Sequence, residues 1–166
     1  YHLYGAALND HLRGGNGNDM LAGRGGDDRL EGGSGEDRLW GEAGKDTLSG
    51  GPGQDRLDGG EGADLYLFNR GDGQDWISDH DPVVTHLDEV NFHDLSSSAV
   101  TAVLRHGKDL QLTFNGSDSL GVRDYFNSIF SRIEQFRFAD GQLWSHPQLL
   151  DRLLIGGATA GDDMLG

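Results

Sequence analysis

The chain has no cysteine and little proline, with Pro 3 among 166 residues. The absence of cysteine excludes disulfide bonds, zinc sites with cysteine ligands and thiol catalysis, although it does not decide the cellular compartment. Apolar residues are also scarce, because 35% of the sequence is hydrophobic and 8% is aromatic. This is little material for the core of a domain of this length, so we expect the core to be local or assisted by a ligand.

Basic residues and long apolar runs are few as well. Lys+Arg 13 against Asp+Glu 28 gives a formal net charge of −15, which argues against nucleic acid and anionic membrane surfaces as partners and favours cations. The uninterrupted apolar runs, such as residues 65–68, are too short for a membrane span, and no signal-peptide pattern opens the chain. Because the sequence begins with Tyr1 and not with methionine, we expect it to be a piece of a longer protein.

Glycine, in contrast, is abundant, and most of it belongs to a nine-residue repeat over residues 5–67. The first position of all seven units is Gly, the sixth is Asp, and the eighth is Leu except for Tyr66 in the last unit. A disordered Gly/Asp-rich linker would not keep this register, so we reserve that alternative for the metal-free state. The seven units read GAALNDHLR, GGNGNDMLA, GRGGDDRLE, GGSGEDRLW, GEAGKDTLS, GGPGQDRLD and GGEGADLYL.

Each unit predicts a six-residue loop followed by a three-residue strand. The glycines of the loop allow positive φ and a close approach of main-chain carbonyls, and the aspartate at the sixth position adds a carboxylate. Oxygen ligands without cysteine or a spaced histidine pair suit Ca²⁺ better than a transition metal. In the strand, the eighth position points inward and its two neighbours point outward, which places Arg38 and Trp40 on the surface.

The repeats also predict how the aspartates stack. Because each loop reverses the chain, consecutive strands should belong to two different sheets, and equivalent residues should stack after two repeats. The segment GDGQDWI has the same residue pattern as the loops and places Asp75 at the position of the ligand aspartate. Asp75 lies eleven residues after Asp64 and not nine. The predicted ligands are Asp10, Asp28, Asp46 and Asp64 along one edge, and Asp19, Asp37, Asp55 and Asp75 along the other.

In these residues the chain resembles the RTX (repeats-in-toxin) family, whose haemolysin-type nonapeptide GGxGxDxUx binds calcium in a parallel β-roll. The resemblance implies that a Ca²⁺ ion sits between stacked loops and takes an aspartate from each, together with carbonyl oxygens from positions one to four. This implies five ions, and a sixth between Asp55 and Asp75. The five pairs are Asp10/Asp28, Asp28/Asp46, Asp46/Asp64, Asp19/Asp37 and Asp37/Asp55.

The residues after the repeats predict a different kind of structure. Leu110, Leu112 and Phe114 alternate with polar residues as in one strand, Asp140-Gly141 indicates a hairpin between 134–138 and 142–144, and 147–154 predicts a short helix. Similar segments follow the repeats of RTX proteins and cover the end of the roll. We therefore expect an all-β fold, a calcium-loaded parallel β-roll solenoid capped by a C-terminal β-rich flank with a short helix.

The resulting domain organisation has three parts. The nonapeptide repeats occupy residues 5–67, and degenerate turns and the capping flank occupy residues 68–154. Residues 155–166 are the expected start of another repeat block, because ATAGDDMLG places Asp163 in the sixth position and Leu165 in the eighth.

Other site patterns are weak or missing. The sequence has no GxSxG, HExxH or GxxxxGK[ST] motif, so it predicts no catalytic site in this chain, and its scattered histidines do not indicate zinc. Asp79-His80-Asp81 begins like an EF-hand loop but has Val84 where that loop needs glycine. Asp79, Asp81 and Asp88 remain candidates for a peripheral ion.

Three functions remain open at this point. The first is a calcium-binding module of a secreted bacterial protein, and for it the resemblance implies type I secretion machinery and calcium ions as partners. The second is an adhesive or receptor-binding module that meets the host cell surface through its parent protein. The third is a non-catalytic part of a secreted protease or lipase. The arrangement of repeats, flank and further block resembles the multi-block RTX toxins, which implies an extracellular protein that folds on calcium binding.

Overall fold

The computed structural model describes residues 1–156, with side chains to residue 153. These residues form strands, two short 3-10 turns and one α-helix, α1 (His146–Gly156). The motif over 158–166 that predicted a further block lies outside the described residues. The strands are β1 (His2–Tyr4), β2 (His11–Asn16), β3 (Met20–Gly25), β4 (Arg29–Ser34), β5 (Arg38–Ala43), β6 (Thr47–Ser49), β7 (Arg56–Glu61), β8 (Leu65–Phe68), β9 (Gln74–Ile77), β10 (Glu89–Phe92), β11 (Val100–His106), β12 (Asp109–Phe114), β13 (Ser119–Val122), β14 (Gln135–Phe138) and β15 (Leu143–Trp144).

The strands of the repeats alternate between two parallel sheets. One sheet has the order β1-β3-β5-β7-β9-β13-β12-β11, and the other has the order β15-β14-β10-β8-β6-β4-β2. Equivalent residues pair two repeats apart, as Leu12 does with Leu30 and Leu21 with Leu39. Successive repeats therefore wind as a parallel β-roll, and the predicted fold class is confirmed.

The paired segments are longer than the three residues that the repeat predicts. Most of these strands cover six residues, because the first three positions of the next repeat also pair with their equivalents, as Gly15 does with Gly33. Further contacts continue around the loop, where the N–H of Gly35 donates to the carbonyl of Pro52 at 3.0 Å. The loops are thus hydrogen-bonded to each other along the stack and are not free connections.

The core is narrow within the roll and wider in the flank. Each of the repeats from the second to the sixth buries one leucine, such as Leu30 and Leu39, which have no exposed surface. Beyond the repeats, the interior contains large rings: Phe68 packs against Phe92 and Phe114, with ring centroids 6.0 and 5.7 Å away. Apolar burial, which dominates folding free energy, is therefore concentrated at one end of the molecule.

The flank extends both sheets of the roll. Strand β10 lies parallel to β8 and to β14, and β13 lies parallel to β9 before β12 and β11 continue that sheet in antiparallel fashion. The predicted strand at 110–114 is β12, and the predicted hairpin is the antiparallel pair β14 and β15. Helix α1 begins at His146, one residue before Pro147. No helix found within residues 1–156 has the length and apolar character needed to cross a membrane.

Candidate metal centre

The eight predicted ligands lie in two hydrogen-bonded ladders, one along each edge of the roll. In each ladder, the backbone N–H of one aspartate donates to Oδ1 of the aspartate in the loop stacked on it. One edge contains the pairs Asp10 to Asp28 (2.7 Å), Asp28 to Asp46 (2.8 Å) and Asp46 to Asp64 (2.8 Å). The other contains Asp19 to Asp37 (2.8 Å), Asp37 to Asp55 (2.7 Å) and Asp55 to Asp75 (3.0 Å). The structure therefore brings together the pairs of aspartates that the repeat predicts, and it also pairs Asp75 with Asp55.

The second carboxylate oxygen of these aspartates has a different environment. Within the described residues, Oδ2 accepts no hydrogen bond although it is buried, and this holds for Asp19, Asp28, Asp37, Asp46, Asp55, Asp64 and Asp75. A buried carboxylate oxygen without a partner is costly, because it has lost its water and gained nothing in return. One oxygen thus holds the stack together and the other is available to a cation in Asp28, Asp37, Asp46, Asp55, Asp64 and Asp75.

Backbone carbonyls point to the same places. If Gly14 had a Cβ atom, that atom would lie 2.5 Å from the carbonyl oxygen of Gly32 and 2.6 Å from Oδ2 of Asp19. A Cβ atom at Gly32 would likewise lie 2.5 Å from Oδ2 of Asp37 and 2.7 Å from the carbonyl oxygen of Gly50. Only glycine leaves this room at the first position of the repeat. Carboxylate and carbonyl oxygens that converge in this way form the hard, oxygen-only set that Ca²⁺ prefers, so these residues fit calcium.

The electrostatics of the ladders favour a bound cation. Burial raises the pKa of Asp46 to about 6, that of Asp55 and Asp64 to about 7, and that of Asp75 to about 8. The charges of neighbouring aspartates raise these pKa values further, while the hydrogen bond from the stacked N–H lowers them. A cation between the carboxylates would favour their ionised form and replace repulsion with attraction.

One ladder continues into the flank through Asp88, which the sequence marks only as a candidate for a peripheral ion, and through Glu134, which it does not mark. The N–H of Asp64 donates to Oδ1 of Asp88, and the N–H of Asp88 donates to Oε2 of Glu134, each at 2.8 Å. Burial raises the pKa of Glu134 to about 7. The sequence contains a signal for both residues, because each precedes a buried apolar residue by two positions, Val90 and Phe136, as the repeat aspartates do.

The three candidates for a peripheral ion separate in the structure. Asp79 and Asp88 group with Asp64, and one oxygen atom from each lies within 4.8 Å of the others. Asp81 is occupied elsewhere: its carboxylate accepts hydrogen bonds from the N–H groups of Gly62 and Val83 and contacts Nδ1 of His86. The structure therefore replaces Asp81 by Asp64 in this group, because the segment after Asp79 folds back over the last repeat.

Two known protein families match parts of the chain. The family described as "RTX calcium-binding nonapeptide repeat (4 copies)" matches residues 4–39, 31–66 and 40–77. The "Haemolysin-type calcium binding protein related domain" matches residues 109–148. No curated protein matches the sequence.

Two solved structures are similar to the chain. One is the extracellular lipase LipA from Serratia marcescens, at 16% identity over 80% of this chain, with a TM-score of 0.39. The chain spans 40% of the length of that lipase chain. The other is the AlgE6R3 subunit from the Azotobacter vinelandii mannuronan C5-epimerase, at 30% identity over 70% of this chain and 71% of that one, with a TM-score of 0.37.

Proposed function

Residues 4–77 carry RTX calcium-binding nonapeptide repeats, and from this premise we propose that the chain is a calcium-driven folding module of a secreted bacterial protein. The observation that carries the proposal is the row of buried Oδ2 atoms, which accept no hydrogen bond within the described residues. Ca²⁺ supplies a hard dication for oxygen ligands, and the stacked aspartates and carbonyls would hold it.

The arrangement favours cooperative binding. Six aspartate pairs follow from the two ladders, and each internal aspartate belongs to two of them, as Asp37 does with Asp19 and Asp55. Filling one site fixes a loop that also forms half of the next site. Since a preformed site is not expected in the unfolded chain, the free energy of calcium binding contributes directly to folding.

The calcium concentration at which the sites fill determines where the chain folds, inside or outside the cell. Extracellular calcium modules have dissociation constants of about 10⁻⁴ to 10⁻³ M, so external calcium would fill the sites and cytosolic calcium would not. We infer that the chain stays unfolded inside the cell, passes through the type I secretion machinery in that state, and folds outside. RTX repeats are typical of secreted proteins, which supports this location.

The test is calcium-dependent circular dichroism of the full chain. In chelator, we expect a largely disordered spectrum, and calcium should induce β-structure cooperatively. Magnesium at the same concentration should not, because Mg²⁺ retains its water and requires a small octahedral shell. A β-rich spectrum in chelator would contradict the coupling of folding to calcium.

A second candidate function is ligand binding at the cell surface. Beside the ladder aspartates Asp19, Asp37 and Asp55, one groove is also lined by Trp76 and by three arginines, Arg38, Arg56 and Arg123. The guanidinium carbon of Arg123 lies 4.6 Å from the centroid of the Trp76 ring. A glycan array and a cell-binding assay with the double variant Arg38→Ala/Arg56→Ala test this function. Binding that the variant loses would support it, and no binding by the calcium-loaded chain would argue against it.

A further inference from the structure

The last loop of the first ladder, residues 59–64, has no nonapeptide stacked on its outer side. In a regular loop, the N–H groups at the second and fourth positions donate to backbone carbonyls two repeats further on. Gly33 donates to the carbonyl of Gly50 at 2.9 Å, and Gly44 to that of Glu61 at 2.9 Å. Both acceptors are backbone oxygens of the repeat two units further on. These hydrogen bonds therefore form only where such a repeat follows.

In the last loop, carboxylates occupy the places of these carbonyls. The N–H of Gly60 donates to Oδ1 of Asp79 at 3.1 Å, and the N–H of Gly62 donates to Oδ2 of Asp81 at 3.0 Å. The segment 79–88 therefore replaces the missing repeat with side-chain oxygens. This satisfies the backbone of the loop, but it also places additional negative charge beside Asp64.

The resulting acidic group is buried and is not neutralised by the protein. The residues Asp64, Asp79 and Asp88 are 1, 3 and 4% exposed, and one side-chain oxygen of each lies within 4.8 Å of the others. Oδ2 of Asp64 and Oδ2 of Asp79 are buried and accept no hydrogen bond from the described residues. Within the same part of the chain, no lysine or arginine forms an ion pair with any of the three.

We propose that Asp64, Asp79 and Asp88 form a separate calcium site, built from three side-chain carboxylates, which fastens the flank to the last repeat. The site differs from those between stacked loops, because the segment 79–88, and not a further nonapeptide, supplies two of its ligands. The inference rests on the proposed function for the identity of the ion. Since a higher charge of the ligand set raises calcium affinity, we expect this site to fill at a lower calcium concentration than the sites between loops.

The experiment compares Asp79→Asn and Asp88→Asn with the control Asp81→Asn in the full chain. Asparagine keeps the shape of the side chain and its Oδ1 acceptor, so Asp79→Asn removes charge but retains the bond from Gly60. Native mass spectrometry at saturating calcium counts the bound ions, and circular dichroism gives the calcium midpoint of folding. We expect one ion fewer and a several-fold higher midpoint for the first two variants, and an unchanged ion count for the control.

The sign of the midpoint shift separates a metal site from three crowded carboxylates. Without an ion, removing one charge relieves repulsion and should lower the midpoint, so a lower midpoint or an unchanged ion count would overturn the proposal. If both test variants fail to fold, the ion count of the unchanged chain decides: more ions than the six aspartate pairs of the two ladders support the site, and six or fewer overturn it. If the unchanged chain binds no calcium at all, it is the proposed function that fails.

Discussion

The aspartates inside the two ladders have two separate tasks, one for each carboxylate oxygen. Oδ1 accepts the N–H of the stacked aspartate, as in the bond from Asp28 to Asp46, and so fixes the orientation of the carboxylate. Oδ2, on the same side chain, is turned toward the buried space beside the glycine at the first position. A short, rigid side chain suits this division, because little rotamer freedom has to be lost before an ion can be bound.

The two-sided role predicts that position in the ladder decides the effect of a substitution. Asp37 belongs to two pairs and is 1% exposed, whereas Asp10 belongs to one pair at the end of its ladder and is only partly buried. Asp37→Asn should therefore raise the calcium midpoint of folding more than Asp10→Asn does, as measured by circular dichroism. Equal midpoints for the two variants would refute the stacked assignment of these ligands.

At the scale of the element, the structural unit of the roll is a loop together with the strand that follows it. Each unit is hydrogen-bonded to the equivalent unit two repeats away. The period of nine predicts the two sheets and the pairing of aspartates, because every repeat supplies the same glycines, aspartate and leucine. It does not predict that the loop itself is paired, since hydrogen bonds between loops depend on a backbone path that no single residue type specifies.

The extension of one ladder into the flank was hidden for another reason. Asp88 follows Asp64 by 24 residues, and Glu134 follows Asp88 by 46. Insertions of this length remove the periodicity, although each strand returns to the same register on the sheet. The two-residue spacing between the acidic residue and the buried apolar residue survives. It marks Asp88 as a degenerate copy of the loop, but by itself it does not identify Glu134. The hairpin at Asp140-Gly141 could be predicted because its signal is local.

The pairing of loops predicts different costs for alanine at two equivalent glycines. Gly15 and Gly33 both have positive φ, 103° and 112°, so alanine at either position costs about 1–2 kcal/mol of folding free energy. At Gly15 the new methyl group meets nothing within 4 Å, but at Gly33 it would collide with the backbone of Gly15. We therefore expect Gly33→Ala to be clearly more destabilising than Gly15→Ala in calcium-loaded thermal unfolding.

The control for this comparison is built into the pair, because both variants carry the same backbone penalty. Any difference between them measures the contact between stacked loops. If the two variants unfold at the same temperature, the loops are not packed as closely as the ladder requires.

At the scale of the whole molecule, stability is distributed unevenly. In the roll, the ordering of the nine residues of a repeat is offset only by one buried leucine and by the metal sites. The flank, in contrast, buries many large side chains. The two parts share both sheets, and rings from β8, β10 and β12 meet where they join: Phe92 lies 5.2 Å from Phe114. In a solenoid, stability is approximately the sum of repeat terms and interfaces between neighbours, so an end that is packed in this way stabilises every repeat behind it.

This distribution predicts the result of cutting the chain after Asp79. All seven repeats and the eight ligands from Asp10 to Asp75 remain, but Tyr66, Phe68 and Ile77 lose the strands that cover them. We expect the shortened chain to lose calcium-induced folding, because an uncovered solenoid end exposes apolar side chains and unpaired strand edges. Circular dichroism and tryptophan emission measure this directly, since Trp40 and Trp76 are both retained.

A graded variant of the full chain shows whether covering the end is the cause. Phe114→Ala keeps every acidic residue but removes the ring that stacks on Phe68, and should cost about 3–5 kcal/mol in the calcium-loaded state. If ordering spreads from the flank into the roll, this variant should raise the calcium midpoint of the whole chain in one transition. Two separate transitions, or a shortened chain that folds at the same calcium concentration as the full one, would instead make residues 80–154 an independent domain with a different task.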